Sequence, residues 1–179
     1  MQDTVKTILN FWFDQTDPRQ WDLADNTFDF ELRERFKLTY ILAEQGLCDD
    51  WLNTPNGALA YSLLMGAFPQ RIYSDQNKAD TYNDLAVQAS KKAIKKGFDQ
   101  LFQPNKRKFL YLPLMNSPYS SDVELAVRLF KNIAQQEPVY YRRAQKRLNE
   151  IQGFASSESI YAPQSVECDR VSAKQAALV

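Results

Sequence analysis

Two clusters of basic residues have a spacing that could bind polyanions. On a helix, the first cluster forms one face, since its members occupy positions i, i+1, i+4 and i+5: Arg142, Arg143, Lys146 and Arg147. Residues 91–96 contain four lysines with the same spacing. Such a face could contact nucleic acid, an acidic protein or anionic lipid. We favour a solvated face that pairs with acids of the same fold, and therefore do not expect a nucleic-acid partner.

The charges of the chain are segregated although they sum to zero. Residues 1–60 carry 5 basic and 11 acidic side chains, whereas residues 91–150 carry 13 basic and 5 acidic ones. A basic half can attract anions, but it can also face an acidic half of the same molecule. The overall neutrality favours this second arrangement.

The absence of histidine excludes several kinds of site. The 179 residues contain no histidine and two cysteines, so Ser-His-Asp and Cys-His machinery and histidine-based zinc sites are excluded. The five glycines are scattered singly, which argues against a phosphate-binding loop. We expect no cofactor and no metal, and we expect Cys48 and Cys168 to be reduced thiols of a cytoplasmic protein. No apolar run approaches the roughly 20 residues that span a bilayer.

The apolar periodicity predicts an all-α protein. Apolar residues recur every three or four positions, and no alternating strand pattern occurs. We expect a compact bundle of about seven helices in antiparallel hairpins, formed by one domain over residues 1–153 and followed by a loosely packed tail over 154–179. The predicted helices cover about residues 4–13, 28–45, 55–68, 75–96, 104–111, 121–133 and 138–152.

Local signals predict where these helices begin and end. Gly46, Gly97 and Gly153 are the expected stops, and Pro69 and Pro113 are expected to end the helices that precede them. Helix starts are predicted at Thr54-Pro55, at Ser74 or Asp75, at Pro138, and at the capping-box sequence of residues 121–124.

Several short stretches of the sequence carry more specific information than its overall amino-acid composition. In order, they are residues 8–13 (ILNFWF), 43–46 (AEQG) leading to Trp51, 59–60 through 68–69, 72–73 and 107–113 (RKFLYLP). In this order and spacing, the chain resembles the bacterial family called domain of unknown function 924 over about residues 5–153. The resemblance implies a compact all-helical fold, usually classed as similar to tetratricopeptide-repeat proteins, and no settled reaction.

The polar signatures of that family are largely missing here. Typical members carry strings such as LLDQFPRN, FLYLPxEHSE and HRDIIxRFGRFPHRN, which look like a site. At the matching positions this chain has neutral or small residues: Gly66 for the acid, Ala67 for the amide, Asn116 and Gln145 for histidines, and Asn83 for an aspartate. The resemblance therefore implies a diverged or non-catalytic member, because general acid–base chemistry needs ionisable groups.

The remaining polar residues suggest one candidate pocket. Arg71, Arg107, Asn116 and Ser117 could bind an anion together, since arginine holds carboxylate or phosphate bidentately and the amide and hydroxyl add donors. Alternatively, Arg107 pairs inside the fold and residues 116–118 form only a turn. We favour a non-catalytic binding or interaction module that holds a protein or peptide partner in a groove between helical hairpins. The alternative is an enzyme of unassigned reaction with its site at this pocket.

Overall fold

The computed structural model describes residues 2–23, 25–72 and 76–160. This part of the chain contains no β-strand, and the all-α prediction is confirmed. The α-helices are α1 (Gln2–Asn10), α2 (Asn26–Glu44), α3 (Pro55–Ser62), α4 (Pro69–Ile72), α5 (Gln76–Lys95), α6 (Pro104–Met115), α7 (Ser120–Lys131) and α8 (Pro138–Ile160). Short 3-10 turns lie at Pro18–Trp21, Asp49–Asn53 and Phe98–Leu101.

Two of these helices contain π-helical stretches. The α1 helix continues directly into Phe11–Gln15, and α3 is joined to α4 through Leu63–Ala67. Because α3, this second stretch and α4 follow one another without a loop, the described chain forms seven helical rods. That number agrees with the sequence-based expectation.

Caps at several helix ends are those that the sequence predicts. The Thr54 hydroxyl accepts a hydrogen bond from Gly57 N at 3.2 Å, and Pro55 occupies the first turn of α3. The structure adds one cap that the sequence analysis does not predict, the Asp25 carboxylate, which accepts from Thr27 N and Phe28 N at the start of α2. Gly46 and Gly97 end α2 and α5 with φ of 76° and 72°, which glycine adopts without strain.

The helix that precedes Pro69 ends before this residue, as predicted, but a new helical segment begins at Pro69 itself. The π-helical stretch before it ends with a hydrogen bond from Phe68 N to Leu63 O at 3.0 Å. Arg71 N and Ile72 N then both donate to Phe68 O, so Pro69 occupies the first turn of a new helical segment. Its missing N–H is not needed there.

The prediction that a helix ends before Pro113 is wrong, since this residue lies inside α6. A proline in a helix deprives the carbonyl four residues earlier of its donor. Here that carbonyl belongs to Phe109, and the hydroxyl of Ser62 donates to it at 2.7 Å in the protein interior. The Pro113 carbonyl accepts from Asn83 Nδ2 at 3.0 Å. A neighbouring helix therefore supplies the hydrogen bond that the proline removes.

Two further helix ends differ from the prediction. The α7 helix begins at Ser120 with Tyr119 as its N-cap, so the predicted capping box over residues 121–124 does not form. The α8 helix passes through Gly153 and continues to Ile160. The rest of the predicted tail, residues 161–179, lies outside the described residues, as does the predicted helix start at Ser74 or Asp75.

The core is aromatic at one end and aliphatic in the middle. The α6 helix packs against α5 and α7, and α7 packs against α8 in turn. Among the largest fully buried side chains are Trp12, Phe68, Tyr111 and Phe130. The rings of Trp12 and Phe68 lie 5.2 Å apart, and those of Tyr111 and Phe130 lie 5.5 Å apart. The first contact joins the π-helical stretch after α1 to the turn before α4, and the second joins α6 to α7.

Candidate functional site

A cavity of about 240 Å³ lies where the π-helical stretch after α1, the π-helical stretch before α4, the second half of α6 and the start of α8 meet. We call it the aromatic cavity. Its lining is Trp12, Trp21, Asp22, Gly66, Ala67, Arg71, Phe109, Leu112, Pro113, Met115, Asn116, Tyr140 and Arg143.

Three aromatic rings pack against one another to form its wall. Trp12 and Trp21 stack with their centroids 6.1 Å apart, and Phe109 meets Trp21 edge-on at 5.1 Å. The indole nitrogen of Trp21 donates to the backbone oxygen of Trp12 at 3.1 Å, which fixes the short turn that carries Trp21. Aromatic pairs in such geometries are rigid, so the wall is preformed.

Gly66 allows the close approach that shapes the cavity floor. A Cβ atom at this position would lie 3.0 Å from Pro113 Cγ and 3.2 Å from Ala86 Cβ. Any larger side chain would push α6 or α5 away from the π-helical stretch.

Arg71 is held tightly beside the cavity. Its side chain is 10% exposed, and its Nε donates to Asp29 Oδ1 at 2.8 Å. The Nη atoms donate to the carbonyl oxygens of Trp21 at 3.3 Å and Leu23 at 2.8 Å. The guanidinium also lies over the Phe28 ring. Arg71 thus connects α4 to the loop that precedes α2.

Asp22 is the acidic residue of the lining. Its carboxylate accepts from Tyr140 OH at 2.9 Å and from Arg143 Nη1 at 3.0 Å. Burial and the Asp22 charge raise the pKa of Tyr140 far above its ordinary value. Tyr140 therefore remains a neutral hydrogen-bond donor to Asp22 at physiological pH.

A buried lysine lies among the same aromatic rings. The Lys108 side chain is 7% exposed, and its Nζ bonds both oxygens of Glu137, at 3.3 and 3.2 Å. It also lies 4.6 Å from the Tyr140 ring centroid and 5.0 Å from that of Trp21. This ammonium binds the rings by cation–π contacts as well as by its ion pair.

The structure brings together two of the four predicted pocket residues. Arg71 and Asn116 both line the aromatic cavity. Arg107 lies about 14 Å along α6 from Asn116, where it donates to the carbonyl oxygens of Phe102 and Gln100.

Ser117 does not line the cavity. It is buried, and its hydroxyl donates to Asp122 Oδ2 at 2.9 Å. These contacts correct the predicted grouping of four residues, because Ser117 and Arg107 stabilise local chain turns at other places.

The predicted basic faces are partly paired within the fold. On α8, Arg143 pairs with Asp22, and Lys146 lies 3.8 Å from Glu150. Arg142 is exposed and Arg147 is half-buried. On α5, Lys91 pairs with Asp122 at 2.5 Å. The Asp22–Arg143 pair joins the acidic first third to the basic second half, as the favoured interpretation of the charge pattern expects.

A larger groove of about 1050 Å³ lies on another side of the molecule, between α1, the Asp49–Asn53 turn and the start of α6. Its lining includes Leu9, Trp51 and Phe102, with Leu101 exposed to 69%. The indole nitrogen of Trp51 is buried and has no hydrogen-bond partner. The groove is open, so it could hold an extended segment.

Two other kinds of feature are absent from the described ranges. No cluster of three or more acidic or cysteine side chains there has the geometry to hold a metal ion. None of the helices in those ranges is both long and apolar enough to cross a membrane.

Sequence reasoning missed Asp22 and Tyr140 as part of this site. Asp22 lies in a polar loop, and Tyr140 lies about 120 positions further along the chain. The only signal in the sequence was the opposite charge of the two chain regions, which does not identify the partners.

Comparisons with known proteins show the family. The model of a family described as a bacterial protein of unknown function, DUF924, matches residues 8–160. No curated protein matches the chain. A solved structure, that of the protein of unknown function ATU0120 from Agrobacterium tumefaciens, is 24% identical to the chain. The match covers 86% of this chain and 85% of that one, with a TM-score of 0.81, and it supports the fold alone. The chain belongs to the DUF924 family of bacterial proteins of unknown function.

Proposed function

We propose that this protein is a non-catalytic binding module whose aromatic cavity holds a small anion with a flat apolar body. The observation that carries this proposal is the composition of the lining. It combines a wall of aromatic rings with two guanidinium groups, Arg71 and Arg143, and one carboxylate, Asp22. Each guanidinium is already paired with a carboxylate, Arg71 with Asp29 and Arg143 with Asp22. An anionic ligand would bind by charge-assisted hydrogen bonds to the N–H donors that these pairs leave free.

The charged groups retain donors for such a ligand. A guanidinium has five N–H donors, and the bonds of Arg71 to Asp29, Trp21 and Leu23 use three of them. The remaining two could bind a carboxylate, and the exposed amide of Asn116 adds further donors. Arg143 is half-exposed, so it can turn from Asp22 toward a ligand at little cost.

The volume limits the apolar body to one or two fused rings. A dry cavity of about 150 Å³ accepts benzene, and the aromatic cavity is larger, at about 240 Å³. An aromatic carboxylate the size of benzoate or an indole carboxylate would fit in the cavity against the wall that Trp12, Trp21 and Phe109 form. Its ring would gain contacts with faces that are already in place.

Several features favour binding over catalysis. Gly66, Ala67 and Asn116 line the cavity at positions where the family resemblance places an acid, an amide and a histidine. The acid that remains, Asp22, is engaged by Tyr140 and Arg143. The enzyme alternative would use Asp22 as the acid or base. It would be favoured by a turnover that Asp22→Asn abolishes while ligand binding persists.

Calorimetry or tryptophan fluorescence with benzoate, an indole carboxylate and benzyl alcohol tests the proposal. We expect the two carboxylates to bind and the neutral alcohol to bind at least about tenfold more weakly, because it lacks the charge-assisted hydrogen bonds. Arg143→Gln should weaken carboxylate binding by about five- to tenfold. The neighbouring variant Arg142→Gln is the matched control and should bind normally. Equal binding of benzoate and benzyl alcohol, or equal effects of the two variants, would contradict the proposal.

A second candidate function is peptide binding in the larger groove. The partly apolar lining and the exposed Leu101 favour it, since an apolar side chain of a peptide would cover Leu101. Leu101→Glu should then abolish capture of a bound peptide without changing benzoate binding.

A cytoplasmic location is also part of the proposed function, and the free buried thiol of Cys48 is consistent with it.

A further inference from the structure

The outer face of α2 exposes large aliphatic side chains near its end. Leu38 is 76% exposed, Ile41 41% and Leu42 44%, and Leu47 in the following turn is 52% exposed. We call these four residues the α2 patch. Four exposed aliphatic side chains within about two helical turns form a contiguous apolar surface, which a soluble monomer rarely leaves uncovered.

Part of the α2 patch follows from the way the helix ends. Leu47 N donates to Leu42 O at 2.9 Å, and Gly46 N donates to Ala43 O at 3.0 Å. This is a Schellman motif, which places the side chains of Leu42 and Leu47 side by side. The motif does not explain why the side chains of Leu38 and Ile41 are exposed. The buried face of α2 lies opposite them, formed by Phe28, Leu32, Phe36, Tyr40 and Ala43.

The charges beside the α2 patch are arranged so that the face complements itself. At about 100° per residue, Lys37 and Glu44 lie along one edge of the exposed face, Leu38 and Leu42 lie along the other edge, and Ile41 lies between the edges. Lys37 and Glu44 have opposite charges and are both exposed. When a twofold axis relates two antiparallel helices, each edge lies against the same edge of the partner helix with its two ends reversed.

We propose that two copies of this chain associate through the α2 patch, with their α2 helices antiparallel around a twofold axis between Tyr40 and Ile41. At a rise of about 1.5 Å per residue, this axis brings the two Ile41 side chains together at the centre. Leu38 then lies within about 2 Å along the axis of the partner's Leu42, and Lys37 lies level with the partner's Glu44. The contacts of Leu38 with Leu42 and of Lys37 with Glu44 occur once on each side of the axis, as a twofold interface requires.

The size of the contact predicts a weak dimer. One helix face of this length buries roughly 500 Å² per copy, below the roughly 800 Å² of a standard stable interface. We therefore expect a dissociation constant on the order of 10 to 100 µM. This affinity makes the dimer dependent on protein concentration.

Sedimentation velocity on the full chain, between about 5 and 300 µM, tests the proposal. We expect a monomer–dimer equilibrium that Ile41→Asp shifts by at least about tenfold toward monomer, because it places two carboxylates at the axis. Lys37→Glu and Glu44→Lys should each weaken the dimer by about three- to tenfold, and the double variant should restore it. Restoration by the double variant distinguishes this antiparallel pairing from any other use of the patch.

The matched control is Phe30→Asp. Phe30 is 61% exposed on the same helix, but it lies about 16 Å along α2 from the proposed axis, so its replacement should leave the dimer intact. A full chain that is monomeric at all these concentrations overturns the proposal. So does a chain that dimerises only after truncation at Ile160, since residues 161–179 would then cover the patch. Failure of the double variant to restore association also overturns it.

Discussion

Replacing Ser62 by alanine should destabilise the protein because of a proline on another helix. The Ser62 hydroxyl donates to Phe109 O at 2.7 Å, and this carbonyl lacks its usual helical donor because residue 113 is proline. Ser62 is 1% exposed and Phe109 3%, so water cannot replace the lost hydrogen bond.

The structure sets the size of the effect. Leaving a buried carbonyl without a partner costs about 1–3 kcal/mol, and the small void left by the hydroxyl adds little. About 2 kcal/mol lowers the melting temperature of a domain of this size by about 4–8 °C. Pro113→Ala gives residue 113 an N–H that can donate to Phe109 O, as in an ordinary helix. In that background, Ser62→Ala should cost less than about 1 kcal/mol.

Urea denaturation of the four proteins in this double-mutant cycle measures the coupling. We expect the two changes to be non-additive by about 1 kcal/mol or more, and Ser62→Thr, which keeps the hydroxyl, is the conservative control. If Ser62→Ala costs the same with proline or alanine at residue 113, then the hydroxyl does not replace the helical donor and the reasoning is refuted.

Three further predictions concern other positions. Gly57→Ala should cost more than about 2 kcal/mol, because its methyl group would collide with a backbone carbonyl. Gly153→Ala has open space in α8 and should stabilise by about 0.5–1 kcal/mol, and equal effects of the two changes in urea would contradict this. Lys108→Met should cost about 3 kcal/mol since it leaves the carboxylate of Glu137 unpaired, and adding Glu137→Gln should recover part of the loss in the same assay. Backbone N–H groups at the start of α2 lower the pKa of Asp25 below its ordinary 3.8. The ionised carboxylate therefore contributes to the free energy of unfolding above that pH, and this contribution is lost as the pH falls through the lowered pKa. Asp25→Asn should flatten the acid limb of the stability–pH curve, and an unchanged limb would show that Asp25 is not responsible.

Much of the fold follows from local signals, and the exceptions have a tertiary cause. Thr54, Gly46 and Gly97 act at the ends where their chemistry places them, because a cap or a positive φ is a property of a few neighbouring residues. Local rules predict a helix end at Pro69 and at Pro113, because they assume that the hydrogen bond a proline removes is not replaced. A π-helical turn before one, and Ser62 from another helix beside the other, make both prolines acceptable.

The candidate site was less predictable than the fold. Arg71 and Asn116 were selected by residue type and by the family resemblance, and they do share a cavity. Residue type could not show that Ser117 is occupied by Asp122, or that Arg107 binds the preceding loop. Asp22 and Tyr140 meet across about 120 residues, and one sequence carries no record of such a pairing.

The π-helical stretch Leu63–Ala67 sets the phase of the segment that follows it. A hydrogen bond that reaches back five residues instead of four accommodates one residue more than an α-helical path. Inserting one further residue into this stretch would exceed what the π-helical turn accommodates and would turn α4 by about 100° around its axis. Arg71 would then face away from Asp29 and the aromatic cavity, although the number of apolar residues in the segment would hardly change. The cavity therefore depends on the length of the chain in this segment as much as on the identity of its residues.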